Sequence, residues 1–179
     1  MKKLVLIPVA LFAIATLASA QMDMSKDKQP LSPPASAQCK FSDGKTVKID
    51  YSSPRARGRK IFGGLVPYGE VWRTGANTAT TFVTDVAVNV GGKEVPAGSY
   101  TIFTVPAADK WTLIVNKKTG EWGIPYKYES DELARVPMSV SRTSAPVENF
   151  TIAFDQAGSK CTLRMEWENT RAQVDVTGK

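Results

Sequence analysis

The chain has 179 residues, no histidine, two cysteines and a formal net charge of +6. Its length suits one domain with a sizeable core. The absence of histidine excludes a Ser-His-Asp triad and histidine metal ligands, and two cysteines are too few for an iron–sulfur cluster or a four-thiolate zinc site. We therefore expect no metal and no cofactor. Because the basic residues are scattered along the chain, we also expect no nucleic-acid partner.

The N-terminus has the organisation of a secretory signal peptide. Lysines at positions 2 and 3 precede an apolar run, Leu4–Leu17, and Ala18-Ser19-Ala20 gives the small-residue pattern at which signal peptidase cuts. The run is too short for a good membrane span. We predict a signal peptide over residues 1–20 with cleavage after Ala20, export to the periplasm or the medium, and no membrane span in the mature chain.

Export affects how the only two cysteines, Cys39 and Cys161, are interpreted. In an oxidising compartment such a pair is expected to form a disulfide. The bridge would join the start of the domain to a late strand. Two unpaired thiols are the alternative, and a catalytic thiol is disfavoured because the chain has no histidine to activate it.

The segment that follows the predicted cleavage site, residues 21–38, differs in composition from the rest of the chain. It is polar, it contains prolines, and it shows no apolar period. This composition predicts a disordered leader. Residues 39–179 are then predicted to form a single domain.

Apolar residues alternate with polar ones over most of this domain, which is typical of half-buried strands. The alternation marks strands near 47–51, 82–90, 93–95, 100–103, 111–115, 136–140, 150–154, 161–167 and 172–176. About eight or nine short strands, with turn residues between them, predict an all-β fold, an antiparallel β-sandwich of jelly-roll type. A short helical turn is expected near 130–135.

One long segment, Tyr51–Thr81, breaks the alternation and concentrates arginine, glycine and aromatic residues. Long loops in compact domains are often functional. Guanidinium groups suit carboxylate or phosphate, aromatic rings suit stacking, and an amide both donates and accepts hydrogen bonds. The candidate ligand-binding residues in this segment are Arg57, Arg59, Tyr68, Trp72, Arg73 and Asn77.

The same segment also has a purely architectural interpretation. Its apolar residues would fill the core beneath the loop, its glycines would provide left-handed backbone angles, and Arg73 would pin the loop through main-chain carbonyls. A nucleotide phosphate loop is disfavoured, because the Lys-Ser/Thr that follows its last glycine is missing.

Three runs resemble a bacterial family catalogued as domain of unknown function 2911. They are GRKIFGGLVPYGEVWRTGAN at 58–77, GKEVPAGSYTIFTVP at 92–106 and WENTRAQVDV at 167–176. The resemblance spans about residues 40–176, and it implies an exported all-β domain. It brings no assigned activity, substrate or catalytic residue.

Three functional hypotheses remain at this point. The leading one is an exported protein that binds a small anionic or carbohydrate ligand through the loop. The second is a carboxylate-dependent hydrolase of the cell envelope, which would use two acidic residues a short distance apart. The third is a structural envelope protein that binds no small molecule. The acidic candidates for the second hypothesis are Asp85, Glu94, Glu121, Glu129, Asp131, Glu132, Glu148 and Asp155.

Overall fold

The structure is a computed structural model that describes residues 31–179. The predicted signal peptide and residues 21–30 of the predicted leader lie outside the described residues. The strands of the described part are β1 (Pro34–Lys40), β2 (Thr46–Ser52), β3 (Thr80–Thr84), β4 (Val88–Val90), β5 (Lys93–Val95), β6 (Gly98–Val105), β7 (Lys110–Asn116), β8 (Glu132–Ala157) and β9 (Lys160–Gly178). Within residues 31–179, no helix has both the length and the apolar character needed to span a membrane.

All nine strands belong to one antiparallel sheet with the order β1-β2-β3-β6-β7-β8-β9-β4-β5. The strands form where apolar and polar residues alternate, because successive side chains of a strand point to opposite faces. In β2, for example, Val47 and Ile49 are buried while Lys48 between them is exposed. The all-β prediction is therefore confirmed, and the sheet is not closed into a barrel.

The two longest strands, β8 and β9, pair along most of their length, with irregular register between Arg142 and Thr151. Strand β8 also contacts β1, which is an edge strand, so the sheet curls back on itself. The side-chain amide of Gln156 donates to the carbonyl of Lys40 at 2.7 Å. The predicted disulfide between Cys39 and Cys161 is present, with their Cα atoms 6.4 Å apart. The result is a sandwich-like arrangement of the curled sheet.

The core contains a compact group of five aromatic side chains, which we call the aromatic floor: Phe62, Trp72, Trp111, Phe150 and Trp167. In seven of the pairs among them, the ring centroids are 4.8–6.4 Å apart, within the range in which aromatic pairs attract one another. They all have 9% or less of their surface exposed.

A second, smaller cluster lies on the other face of β6 and β7. Phe103 and Ile114 are paired across these two strands, and both are buried together with Ala79. The rings of Tyr126 and Tyr128 pack on Phe103, at centroid distances of 4.9 and 6.0 Å. This cluster anchors the connection between β7 and β8.

Two segments differ from the sequence-based prediction. Residues 34–38 were expected in the disordered leader, but they belong to β1, where each of them is paired with a residue of β2. The edge pairing and the disulfide at Cys39 order these residues despite their polar composition. The helical turn is a 3-10 helix at Glu129–Asp131, and Glu132–Arg135 belong to β8 because they pair with β7.

Candidate ligand-binding cleft

The connection between β2 and β3, residues 53–79, is anchored at two places on the sheet. Near its start, the hydroxyl of Ser53 donates to the carbonyl of Phe150 at 2.7 Å, and the N–H of Ala56 donates to the carbonyl of Glu148 at 2.7 Å. Further along, Trp72 exchanges two main-chain hydrogen bonds with Thr104 of β6. The segment is therefore ordered along its length by strands that lie far from it in the sequence.

The anchor on β6 directs the side chain of Trp72 into the aromatic floor. Its indole N–H donates to the carbonyl of Gly75 at 3.1 Å. Its ring is stacked on Trp167 at 5.9 Å with an interplanar angle of 19°. Only 9% of the side chain is exposed. Packing in the core therefore leaves little of the ring accessible for stacking with a ligand, and the ligand-binding role of Trp72 stays a prediction.

Two of the predicted arginines donate to main-chain carbonyls. The Nε atom of Arg59 donates to Ala56 at 3.0 Å, and one of its terminal nitrogens donates to Arg55 at 2.7 Å. A terminal nitrogen of Arg73 donates to the carbonyls of Asn77 and Trp122, the latter at 3.3 Å. Partial burial lowers the pKa of Arg73. These contacts agree with the architectural interpretation of the arginines.

A cleft of about 810 Å³ nevertheless opens beside these residues. Four of the six predicted ligand-binding residues line it: Arg59, Trp72, Arg73 and Asn77. The other two, Arg57 and Tyr68, do not line it. Arg57 is exposed, and the ring of Tyr68 lies against the backbone of Gly63. The cleft is also lined by Ser32, Pro54, Leu65, Val66, Pro67, Glu70, Val71, Gly75, Ala76, Trp122, Ile124, Pro125, Tyr126, Glu129 and Trp167.

The opposite wall of the cleft comes from the connection between β7 and β8, residues 117–131, where the sequence predicts no ligand-binding residue. Trp122 and Ile124 of this wall are 57% and 37% exposed. The guanidinium carbon of Arg73 lies 4.6 Å from the centroid of the Trp122 ring. A signal was present in the sequence, because this segment also breaks the alternation and holds tryptophan, tyrosine, glycine and proline.

The two walls meet at Gly123. Its φ is +93°, and a Cβ atom at this position would lie 2.8 Å from the Cβ of Ala79 and 3.2 Å from that of Arg73. Both the positive φ and the close approach require glycine. The Ile124–Pro125 peptide bond that follows is cis.

Tyr126 connects this wall to the sheet through a polar network. Its hydroxyl accepts from the side-chain amide of Asn116 at 3.1 Å and donates to Glu132 at 2.7 Å. Glu132 in turn forms a bidentate pair with Arg135 at 2.6 and 2.7 Å. Burial is the main cause that raises the pKa of Tyr126, and the hydrogen bond to Glu132 raises it further. The hydrogen bonds from Arg135 are the main reason that the pKa of Glu132 is lowered.

The acidic candidates for hydrolysis are mostly dispersed. Of the eight predicted carboxylates, Glu129 alone lines the cleft, and Glu70, which was not among them, lines it as well. Others have partners elsewhere: Asp85 with Thr46, Glu94 with Lys179, Glu132 with Arg135, Glu148 with the main-chain N–H of Arg57, and Asp155 with Arg164. Among residues 31–179, no three acidic or cysteine side chains are grouped as a metal site requires.

The cleft thus combines an exposed indole and an isoleucine with two guanidinium groups, two carboxylates and an amide. Such a set can both donate and accept hydrogen bonds around a small molecule, while the apolar side chains exclude water.

No curated protein and no solved structure matches the chain at a significant level. A family model matches residues 32–176, almost the whole of the described part. The chain therefore belongs to the family described as Protein of unknown function (DUF2911), the family that its sequence motifs resemble.

Proposed function

We propose that this protein is exported and binds a small anionic or polyhydroxylated molecule in the cleft between residues 53–79 and 117–131. The observation that carries the proposal is the cleft itself, where Trp122 is exposed beside Arg59, Arg73 and Asn77. Its volume is in the range of small-molecule sites, which are mostly apolar with a few convergent polar groups.

Export to the periplasm or the medium is part of the proposal. It is supported by the N-terminal pattern of Lys2, Lys3 and the apolar run that follows. It is also supported by the disulfide, because such bonds persist in oxidising compartments and are rare in the cytosol. Fractionation of cells that express the full chain, with mass determination of the mature protein, tests this part and the cleavage after Ala20.

Binding is tested by thermal unfolding in the presence of candidate sugars and anions. A ligand at about 100 times its Kd stabilises a protein by about 2.7 kcal/mol, which corresponds to a rise in Tm of about 5–10 °C for a domain of this size. Trp122→Ala should reduce the shift to about half or less, as expected for binding weakened about tenfold or more. Tyr68→Ala is the matched control, because Tyr68 is 47% exposed but lies outside the cleft.

The arginines offer a second matched pair. Arg59→Ala should weaken the ligand-induced shift, whereas Arg57→Ala should leave it unchanged, because only Arg59 lines the cleft. If a ligand-induced shift is found and survives both Trp122→Ala and Arg59→Ala, the ligand binds elsewhere and the proposed site is wrong. If no sugar or anion shifts the Tm, a structural envelope protein becomes the better account.

Carboxylate-dependent hydrolysis is the second candidate function, because Glu70 and Glu129 line the same cleft. Such chemistry requires two carboxylates about 5–10 Å apart, one acting as an acid and the other as a base or nucleophile. It predicts release of reducing sugar from a bound glycan, and loss of this activity in both Glu70→Gln and Glu129→Gln. Binding without turnover would favour a binding protein over a hydrolase.

A further inference from the structure

We infer that the ligand of the cleft is a neutral carbohydrate rather than an anion. This inference rests on the proposed function, which leaves the two classes open, and it follows from how charge, indole surface and hydrogen-bonding groups are distributed among the lining residues.

The charges of the cleft do not favour an anion. Arg59 and Arg73 contribute two positive charges, and Glu70 and Glu129 contribute two negative ones, so the charged lining residues sum to zero. An anion that approached the guanidinium groups would also approach two carboxylates of its own sign, and like charges repel.

The guanidinium groups are also partly occupied. Arg59 donates to two main-chain carbonyls, and Arg73 donates to the carbonyls of Asn77 and Trp122 while lying over the Trp122 ring. A bidentate fork to a carboxylate or phosphate needs two parallel N–H donors that face the ligand. The N–H groups that already bond to the loop backbone hold the walls of the cleft in place. Fewer of them are therefore left to form such a pair with a ligand.

The carboxylates, by contrast, are free to accept hydrogen bonds. The side chains of Glu70 and Glu129 are exposed, and neither forms an ion pair with another residue in the described part of the chain. A carboxylate is an acceptor only, so its natural ligand group is a hydroxyl or another donor. A sugar presents several hydroxyls on each ring, whereas a small inorganic anion at neutral pH presents mainly acceptors.

Trp122 supplies the surface on which a sugar ring would stack. Arg73 lies over the indole, and Trp122 as a whole is 57% exposed, which leaves indole surface accessible to a ligand. The face of an aromatic ring carries partial negative charge, which attracts the weakly positive C–H groups of a pyranose. The exposed side chains of Leu65 and Ile124 extend this apolar surface along the cleft.

The inference is tested with an array of neutral and acidic oligosaccharides, followed by calorimetric titration of the best binder and of inorganic phosphate and citrate. We expect a neutral oligosaccharide to bind, and its affinity to change less than about twofold between 50 and 500 mM NaCl, because screening acts on charged ligands. Trp122→Ala should weaken this binding about tenfold or more, and Tyr68→Ala should leave it unchanged. Glu70→Gln and Glu129→Gln should each weaken it as well.

The outcomes separate this inference from the proposed function. If phosphate, citrate or an acidic glycan binds, if that binding is lost in Trp122→Ala and falls with salt, and if neutral glycans do not bind, the cleft is a ligand site but its ligand is an anion. That result overturns the inference alone. If none of the probes binds, or if binding is unaffected by Trp122→Ala, the proposed function fails together with the inference.

Discussion

Two of the three tryptophans that line the cleft, Trp72 and Trp122, have opposite environments. Trp72 forms part of the aromatic floor, with 9% of its side chain exposed, its N–H bonded to Gly75 and its ring stacked on Trp167. Trp122 is 57% exposed and has the guanidinium of Arg73 over its ring. A side chain can therefore line a cleft without being available to a ligand. The aromatic floor contributes to stability, whereas the rim of the cleft, which is the wall at residues 117–131 with Trp122, is where we propose that a ligand binds.

The largest loss of stability is expected for a substitution in the aromatic floor. Trp72→Ala removes a buried indole that contacts Phe62, Phe150 and Trp167, and such truncations cost about 3–5 kcal/mol. Urea unfolding of the wild type and the variant measures the loss. Trp122→Ala is the matched control, because it removes the same side chain from an exposed position. A loss below about 1 kcal/mol for Trp72→Ala would mean that the floor is not packed as described.

Removal of the disulfide is expected to cause the next largest loss of stability. The disulfide is connected to the aromatic floor through β9. Cys161 lies on β9 together with Trp167, and the bridge to Cys39 ties this strand to β1. Removing a disulfide typically costs about 2–4 kcal/mol. The double variant Cys39→Ala, Cys161→Ala should lose stability by this amount, while the reductant dithiothreitol should not destabilise it further. Equal stability of the variant and the oxidised wild type would contradict this prediction.

The stability that the rim wall contributes is expected to depend on pH through Glu132, which accepts a hydrogen bond from the hydroxyl of Tyr126. The hydrogen bonds from Arg135 lower the pKa of Glu132 below its ordinary value of 4.5. The carboxylate therefore stabilises the fold at pH values above 4.5, and this contribution is lost as the pH falls through the lowered pKa.

Urea unfolding at pH 7 and pH 3 tests this expectation. Glu132→Gln should be less stable than the wild type at pH 7, and the difference should shrink at pH 3. Glu94→Gln is the control, because the Glu94–Lys179 pair is exposed and pairs of this kind contribute little. If the stability difference between Glu132→Gln and the wild type is the same at both pH values, the network stabilises the fold through packing and not through the charge of Glu132.

The smallest effect on stability is expected at the rim. Trp122→Ala removes a mostly exposed side chain, and surface substitutions are usually within about 0.5 kcal/mol of the wild type. The same urea titration measures it. A cost of several kcal/mol would place Trp122 in the structural part of the molecule and would remove the contrast with Trp72.

Local patterns identify most of the sheet, but not all of it. Alternation in segments such as Val47–Tyr51 and Trp111–Val115 identifies strands, because the period of two is a property of the strand itself. It failed at Pro34–Gln38, which has no apolar period and is ordered by pairing with β2. It also divided β8 into two strands at 136–140 and 150–154, where irregular pairing interrupts the alternation within one strand.

The site was predictable only in part, for a related reason. The composition of residues 51–81 identifies one wall of the cleft, but not which side chains face it. The orientation of Trp72 depends on main-chain pairing with Thr104, and the commitment of Arg73 depends partly on the carbonyl of Trp122. Both partners are distant in the sequence. The second wall carried the same loss of alternation, and only the fold reveals that it faces the first.

The most direct test of the central claim uses the four tryptophan indole N–H signals in a two-dimensional ¹⁵N–¹H NMR spectrum, assigned with single Trp→Phe variants. The protein is titrated with the neutral oligosaccharide that binds best on the array. The account predicts a large, saturable shift of the Trp122 signal, while the signal of Trp111, buried in the floor, stays in place. Saturable shifts that leave the Trp122 signal unmoved would contradict it.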